Sequence, residues 1–195
     1  MPKGRPRNFD IDAALDKAMM VFWRKGYEGT SLPDLTGAIG ITRPSLYAAF
    51  GSKEELFTKA LDRYQAVPGS YVDRALEKST AREVFESLLY GEIDLLTNED
   101  HPGGCLLVQA ALACSGTAES VRNELKLRRQ TSEQGFRKRF ELAAKEGDLP
   151  TNCTAEVLAR YTSTVMWGLA VQSANGSNRE ELLAVAELAI DNWPG

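Results

Sequence analysis

The sequence predicts an all-α protein of about nine helices, with a three-helix N-terminal domain over residues 1–57 and a helical C-terminal domain over residues 58–195. Three observations support this fold class. Apolar residues recur at intervals of three and four positions, which is the spacing of one helix face. Capping residues precede the apolar segments, and glycine or proline follows several of them. The chain shows neither the alternating pattern of a surface strand nor an internal repeat.

The first two helices have clear start signals. A helix over about 11–25 begins after Asp10, a residue type that caps helix N-termini. The second helix begins after Ser31, and Asp34 lies three residues later as its capping-box partner. This helix ends at Gly40, where a residue in the left-handed conformation is favoured.

The third helix completes a helix-turn-helix. Thr42 is its N-cap, and Pro44 lies in its first turn, where no intrahelical hydrogen bond is lost. Only Gly40 and Ile41 separate it from the second helix. Recognition helices reach the edges of DNA bases with their N-terminal end. In this sequence that end carries Arg43, Pro44, Ser45 and Tyr47.

The C-terminal domain is predicted to be helical throughout. A fourth helix runs from Ser52 to about 66, a short segment follows at 70–77, and five helices follow at about 80–97, 105–114, 118–146, 154–174 and 177–192. The last two helices carry more apolar surface than packing within one chain uses. We therefore expect them to pair with their copies in a four-helix homodimer interface, with Val165 and Leu169 as candidate contacts.

Charge is distributed unevenly along the chain. The net charge is −4, yet residues 1–64 carry ten Lys/Arg and eight Asp/Glu, so the acidic excess lies in the remainder. Such a locally basic end can bind phosphate, because distant exposed charges are screened. The first residues contribute Lys3, Arg5 and Arg7 without an acid, and they form either a minor-groove arm or a solubilising tail.

The sequence lacks the signals of export and membrane insertion. It contains no run of 18 apolar residues, and its basic N-terminus is not followed by the apolar segment of a signal peptide. The three cysteines are an odd number and do not form a disulfide framework. We therefore expect a cytoplasmic protein with free thiols.

Two motifs resemble the signature of the tetracycline-repressor (TetR) family. They are TRPSLY at residues 42–47 and FGSKEEL at residues 50–56, preceded by FWRKGY at 22–27. The resemblance covers roughly residues 8–60. It implies a homodimeric, all-helical, bacterial transcription regulator, most often a repressor, that binds a pseudo-palindromic operator in double-stranded DNA.

The helix-turn-helix and the resemblance together predict the residues that contact DNA. Thr42 is expected at a phosphate and Arg43 at a base, by the bidentate contact that arginine makes with guanine. Pro44 can touch a thymine methyl group, and Tyr47 and Lys53 are expected at phosphates. The complete predicted set is Ser31, Thr42, Arg43, Pro44, Ser45, Tyr47 and Lys53.

The resemblance also implies a cavity for a small effector in the C-terminal domain. Its predicted lining residues are Tyr64, Phe85, Cys105, Gln109, Phe136, Phe140 and Trp167. Gln109 interrupts an apolar run and is the candidate polar anchor of an apolar ligand that the sequence does not identify. The alternative is that the aromatic residues of this set belong to the ordinary hydrophobic core.

Cys105 has a second interpretation. The segment GGCLLVQ at residues 103–109 resembles a subgroup of these repressors that includes the N-ethylmaleimide-responsive one, in which a cysteine at this point senses electrophiles or oxidants. A helix N-terminus favours the thiolate, so if Cys105 is a sensor we expect it to have a larger thiolate fraction than Cys114. The alternative is a small buried residue that fits a tight helix start.

The sequence gives little support to catalysis. The single histidine, His101, excludes metal sites that need several imidazoles, and no phosphate-binding loop is present, so we expect no metal and no cofactor. Proline and glycines separate His101 from Cys105, which disfavours a Cys–His nucleophile pair. Two other classes stay open as alternatives: a helical adaptor, and an enzyme with a cysteine-based activity.

Overall fold

A computed structural model of the chain describes residues 9–112 and 119–194. Over these residues the fold is all-α, as predicted, with ten α-helices, one short 3-10 helix and no strand. The helices are α1 (Ile11–Gly29), α2 (Leu32–Ile39), α3 (Arg43–Phe50), α4 (Lys53–Ala66), α5 (Tyr71–Leu76), α6 (Ala81–Leu96), α7 (Leu106–Leu112), α8 (Glu119–Lys145), α9 (Ala155–Ala174) and α10 (Arg179–Asp191). The 3-10 helix, Pro68–Ser70, lies between α4 and α5.

The caps that the sequence predicts around α2 are present. Ser31 Oγ accepts a hydrogen bond from the Asp34 backbone N–H at 3.2 Å, and Asp34 Oδ2 accepts one from the Ser31 backbone N–H at 2.8 Å. Gly40 ends α2 with φ 83°, the left-handed conformation that glycine adopts without strain. Because these interactions are local, the start and end of α2 follow directly from the sequence.

The first helix is longer than predicted but breaks where the prediction ended it. α1 reaches Gly29, yet Gly26 has φ 68° and ψ 175°, which is not helical. The regular part therefore stops beside Gly26, and residues 27–29 form one further turn. The Thr30 hydroxyl closes this turn by donating to the Gly26 carbonyl at 2.6 Å.

The fourth helix joins the N-terminal helices to the rest of the molecule. Phe57 of α4 meets the buried ring of Phe22 edge-on, with the ring centroids 4.9 Å apart. One turn from the C-terminal end of α4, Arg63 forms a two-pronged ion pair with Asp16 of α1, at 2.7 and 3.0 Å. The predicted domain boundary between residues 57 and 58 falls inside this continuous helix, and it stays a prediction.

A second connection runs through the turn that precedes α7. The Trp23 indole N–H, on α1, donates to the Gly104 carbonyl at 2.8 Å. The Gly104 N–H donates to Ser173 Oγ of α9 at 3.2 Å, and the Ser173 hydroxyl donates to the Leu96 carbonyl of α6 at 3.2 Å. This turn is therefore bonded directly to α1 and α9, and through Ser173 it is linked to α6.

Two of the three cysteines can be placed. Cys105 is a buried free thiol and Cys153 a partly buried one. Cys114 and the basic residues Lys3, Arg5 and Arg7 lie outside the described residues. In the part of the chain that is described, no helix is long and apolar enough to cross a membrane.

Candidate nucleic-acid interface and interior cavity

The N-terminal end of α3 is an exposed polar surface on a rigid base. Leu46 and Phe50 are 0% and 2% exposed, so they fix the inner face of the helix. Thr42, Arg43 and Pro44 are exposed at its start, and Tyr47 is 49% exposed one turn later. The free backbone N–H groups of a helix start and its dipole favour an anion here.

Three of the predicted DNA-contacting side chains already have partners within the chain. Thr42 Oγ1 accepts from the Ser45 backbone N–H at 3.4 Å, and the two hydroxyls lie 3.0 Å apart. The Ser31 hydroxyl donates to Asp34 Oδ2 at 2.6 Å. Phosphate oxygens would compete with these contacts, which leaves Arg43 as the exposed cation at the start of α3.

Lys53 is the first residue of α4 and follows the C-terminal end of α3, at Phe50, by three residues. Its ammonium group is 4.3 Å from the centre of the Tyr27 ring, a cation–π contact. Burial lowers the pKa of Lys53, and nearby Glu28 and Asp34 oppose that shift. The aromatic ring therefore holds the Lys53 ammonium group next to the N-terminus of α4.

A cavity of about 510 Å³ lies in the C-terminal domain, with walls from α4, α5, α6, α8 and α9. It brings together four of the seven residues that the sequence predicts for it: Tyr64, Cys105, Phe136 and Trp167. The remaining predicted residues lie elsewhere. Phe140 is fully buried in the core, and Phe85 packs against Tyr161 and Trp193, at 5.7 and 5.2 Å between ring centroids.

Gln109 is not part of the cavity wall either. Its side-chain amide donates to the Gly103 carbonyl at 2.9 Å, so it closes the turn before α7 instead of facing a ligand. The expectation of a polar anchor at this residue is therefore not met. The turn brings a free carbonyl within reach of the first turn of α7, and sequence spacing does not reveal this contact.

Two further polar groups of the cavity lie outside the predicted set of seven residues, those of Tyr71 and Glu92. The Tyr71 hydroxyl, on α5, donates a hydrogen bond to Glu92 Oε2, on α6. Gly91 makes room for this ring, because a Cβ at that position would overlap Tyr71. Glu92 itself lies four residues from Leu88 and from Leu96, within the apolar face of α6. In the sequence, the feature that indicates this site is a carboxyl side chain on an otherwise apolar helix face.

Burial controls the ionisation of these groups. It raises the pKa of Glu92 to about 7 and holds the pKa values of Tyr64 and Tyr71 well above their usual range. Burial, and secondarily the neighbouring Glu92, raise the pKa of Cys105 to about 12. At Cys105 desolvation therefore outweighs the helix dipole and favours the protonated thiol, whereas Cys114, with which the sequence analysis compares it, lies outside the described residues. The Tyr64 hydroxyl donates to Cys105 Sγ at 3.3 Å.

The cavity adjoins the N-terminal helices through Trp23. The indole ring meets the cavity residue Tyr64 edge-on, at 4.7 Å between ring centroids. On another side it packs against His101 at 5.0 Å, and its N–H holds the Gly104 carbonyl next to Cys105. A displacement of Tyr64 or Cys105 would therefore change the contacts of Trp23, which lies on α1.

An apolar face is exposed along α9 and α10. Leu188 is 64% exposed, Val157 60% and Val185 50%, and a groove bordered by Tyr161 and Val165 runs between the two helices. The face lies on the helices predicted to form the homodimer interface. Leu169, however, is 1% exposed and therefore belongs to the core of its own chain.

The described residues contain no group of three or more His, Cys, Asp or Glu side chains that could hold a metal ion. The features of the site are instead an exposed recognition-helix end and a separate interior cavity. Together they are the features of a helix-turn-helix DNA-binding regulator whose C-terminal helices enclose a cavity.

Comparison with known proteins identifies the family. The model of bacterial regulatory proteins, tetR family, matches residues 14–60. The HTH-type transcriptional repressor ComR of Escherichia coli K12 is 34% identical over 98% of this chain and 92% of its own length. The repressor BdcR of the same organism is 27% identical, over 95% and 90%. The chain belongs to the TetR family, whose members are transcription regulators and not enzymes.

Solved structures agree with this assignment. The chain is similar to a cysteine-substituted form of the TetR family regulator CifR in complex with a 26-bp double-strand operator, with 45% identity and a TM-score of 0.93, over 98% of this chain and 100% of that one. A regulator from Rhodococcus sp. RHA1 is 43% identical, with a TM-score of 0.63, over 93% and 97% of the two chains.

Proposed function

We propose that the chain is a homodimeric repressor that binds a pseudo-palindromic operator and releases it when a small molecule occupies the interior cavity. The observation that carries the proposal is the exposed start of α3, where Arg43 and Pro44 project from a helix fixed by buried Leu46 and Phe50. The operator complex of the related regulator CifR supports the same mode of binding.

In this mode Arg43 reads a base edge, and Tyr47 and Lys53 hold phosphates on either side of it. The Thr42 and Ser45 hydroxyls, which now pair with each other, are available to the same phosphates, and Ser31 is available at the start of α2. A bidentate arginine–guanine contact discriminates against the wrong base by about 1–3 kcal/mol. Phosphate contacts contribute affinity without sequence preference.

The exposed face of α9 and α10 supplies the dimer interface of the proposal. An apolar surface of this kind on two adjacent helices is typical of a protein–protein contact. A twofold dimer built on it would present two α3 helices to successive major grooves, about 34–36 Å apart or a multiple of that distance. The operator is therefore expected to consist of two inverted half-sites.

Release by a thiol-reactive compound, as in the subgroup that the GGCLLVQ segment resembles, is the second candidate mechanism. It is favoured by the position of Cys105 in the cavity wall. The raised pKa of this thiol argues against it, because a thiol with a pKa of about 12 is almost entirely protonated at neutral pH. Non-covalent occupation of the cavity is therefore the better supported mechanism.

Titration of a DNA duplex from upstream of the chain's own gene tests the proposal. Arg43→Ala should lose preference for one base pair in each half-site, whereas Lys53→Ala should weaken binding to all sequences and flatten the salt dependence by about 1 per subunit. Arg82→Ala is the matched control, because Arg82 is an exposed cation on α6 whose ion pair, among the described residues, is with Glu86. Wild-type affinity in the Arg43 and Lys53 variants would overturn the proposal.

A further inference from the structure

The interior cavity contains a carboxyl group whose charge no described residue balances. The Glu92 side chain is 3% exposed and forms part of the cavity wall. The Tyr71 hydroxyl donates a hydrogen bond to the Glu92 Oε2 atom. In the described part of the chain, no Lys, Arg or His pairs with Glu92, and Oε1 has no hydrogen-bond donor. An unpaired buried carboxylate is unfavourable, so a cation that reaches Oε1 would gain a strong partner.

The groups that face Glu92 are neutral. They are the hydroxyls of Tyr64 and Tyr71, from α4 and α5, and the thiol of Cys105, from the turn before α7. All three stay protonated at pH 7, because burial holds their pKa values high. They can hydrogen-bond to a ligand, but they cannot neutralise the carboxylate.

The other charges around the cavity are also more acidic than basic. Besides Glu92, Asp62 and Asp73 lie at the wall, against a single guanidinium, that of Arg129. Asp62 pairs with Arg128 at 2.6 Å. On α8, Arg129 donates to the Leu107 carbonyl at 3.0 Å, interacts electrostatically with Cys105, and forms no ion pair with Glu92. The buried carboxyl of Glu92 therefore lies in the cavity wall without an ion-pair partner, while the guanidinium of Arg129 hydrogen-bonds to a backbone carbonyl.

The remaining wall suits the body of an organic cation. Aromatic rings of Tyr64, Tyr71, Phe136 and Trp167 line the space, and Met166 adds a polarizable side chain. The faces of such rings attract cations, and the flexible methionine side chain adapts to apolar groups. A volume of about 510 Å³ limits the ligand to a small molecule.

We propose that the cavity binds a small organic cation, a protonated amine with an apolar body, whose ammonium group pairs with Glu92 Oε1. This inference rests on the proposed function, in which the cavity is the effector site. It names the chemical class of the effector and the group that selects it.

Three probes of equal size and different charge test this selection: 2-phenylethylamine, 2-phenylethanol and phenylacetate. Calorimetric titration at pH 8 should show the amine binding at least tenfold more tightly than the alcohol, with the anion weakest. In Glu92→Gln the advantage of the amine should disappear, while binding of the alcohol should stay within about twofold. Glu86→Gln, a partly exposed position on the same helix and outside the cavity wall, is the control and should behave as wild type.

The pH dependence gives an independent readout. Between pH 6 and pH 8 the affinity of the wild-type protein for the amine should rise about tenfold, because Glu92 ionises in this range while an aliphatic amine stays protonated. In Glu92→Gln the affinity should be flat over the same range. Equal affinity for amine and alcohol, or a Glu92→Gln variant that keeps the preference, would overturn the proposal.

Operator binding by the ligand-free proteins is measured in parallel. If the wild-type chain fails to bind its upstream DNA, the proposed function fails, while calorimetry still reports whether the cavity selects a cation. If DNA binding is normal and the anion is the best ligand, recognition occurs at Arg129 instead, and the assignment to Glu92 is wrong. Thermal unfolding of each variant verifies that it is folded.

Discussion

Replacing Glu92 by glutamine should stabilise the ligand-free protein, and the gain should depend on pH. A carboxyl group in an unfolded chain titrates near 4.5, whereas burial raises the pKa of Glu92 to about 7 in the folded protein. Each tenfold change in proton affinity corresponds to about 1.4 kcal/mol. The difference between these two pKa values therefore destabilises the folded state by about 3 kcal/mol once the group is ionised in both states.

The sign of this effect fixes the pH window. Below pH 4.5 Glu92 is protonated in both states and contributes nothing. As the pH rises from 4.5 to about 7, the unfolded state loses its proton first, so the free energy of unfolding falls. Above about pH 7 this loss of unfolding free energy is complete. Glutamine can still accept the hydrogen bond of Tyr71 but carries no charge, so this pH-dependent loss should be absent from Glu92→Gln.

Urea unfolding between pH 5 and pH 8.5 measures the effect directly. The difference in unfolding free energy between Glu92→Gln and wild type should grow by about 2–3 kcal/mol across this range. All other groups titrate alike in the two proteins, so the difference isolates Glu92. Protein concentration is held constant because a dimer's stability depends on it. A constant difference, or a Glu86→Gln control with the same slope, would refute the reasoning.

Three further predictions concern the interface, the link to α1 and the thiol. Leu188→Asp should sediment as a folded monomer with weak operator binding, whereas Leu127→Asp, at a residue that is 58% exposed on α8, should stay dimeric. Trp23→Phe should lose about 1–3 kcal/mol of unfolding free energy, because the buried Gly104 carbonyl loses its donor, and it should respond less to cavity ligands in operator-release assays. In single-cysteine variants at pH 7, maleimide should label Cys105 more slowly than Cys153, because the pKa of Cys105 is about 12. The Cys105→Ser variant should still release the operator when the amine binds. Rapid labelling of Cys105 together with loss of release in Cys105→Ser would favour the thiol mechanism.

The helix-turn-helix could be predicted almost completely from the sequence. Ser31, Gly40, Thr42 and Ser52 act on backbone groups within three or four residues of themselves, so their structural consequences follow from local spacing. The same argument placed Arg43 at the exposed start of α3. Recognition of the TetR signature depends on these residues, and the family comparison confirms it over residues 14–60.

The cavity could be predicted only in part, because its walls are assembled from distant segments. Phe136 and Phe140 lie one turn apart on α8, yet one lines the cavity and the other is buried in the core. The spacing of apolar residues in the sequence does not distinguish a cavity-lining residue from a core residue. The pKa of Cys105 could not be predicted for the same reason. Its position at a helix start is visible in the sequence, but the burial that raises its pKa depends on distant segments.

The position of α4 explains how an interior site can act on DNA binding. Its C-terminal half contributes Tyr64 and Gln65 to the cavity, while nearer its start Lys59 donates to the Phe50 carbonyl at 2.9 Å, at the end of α3. A ligand that displaced Tyr64 would therefore move a rigid helix whose other end holds the recognition helix. In the proposed dimer, which contacts two half-sites at once, a small rotation of α4 in each subunit would change the distance between the two α3 helices and so lower operator affinity.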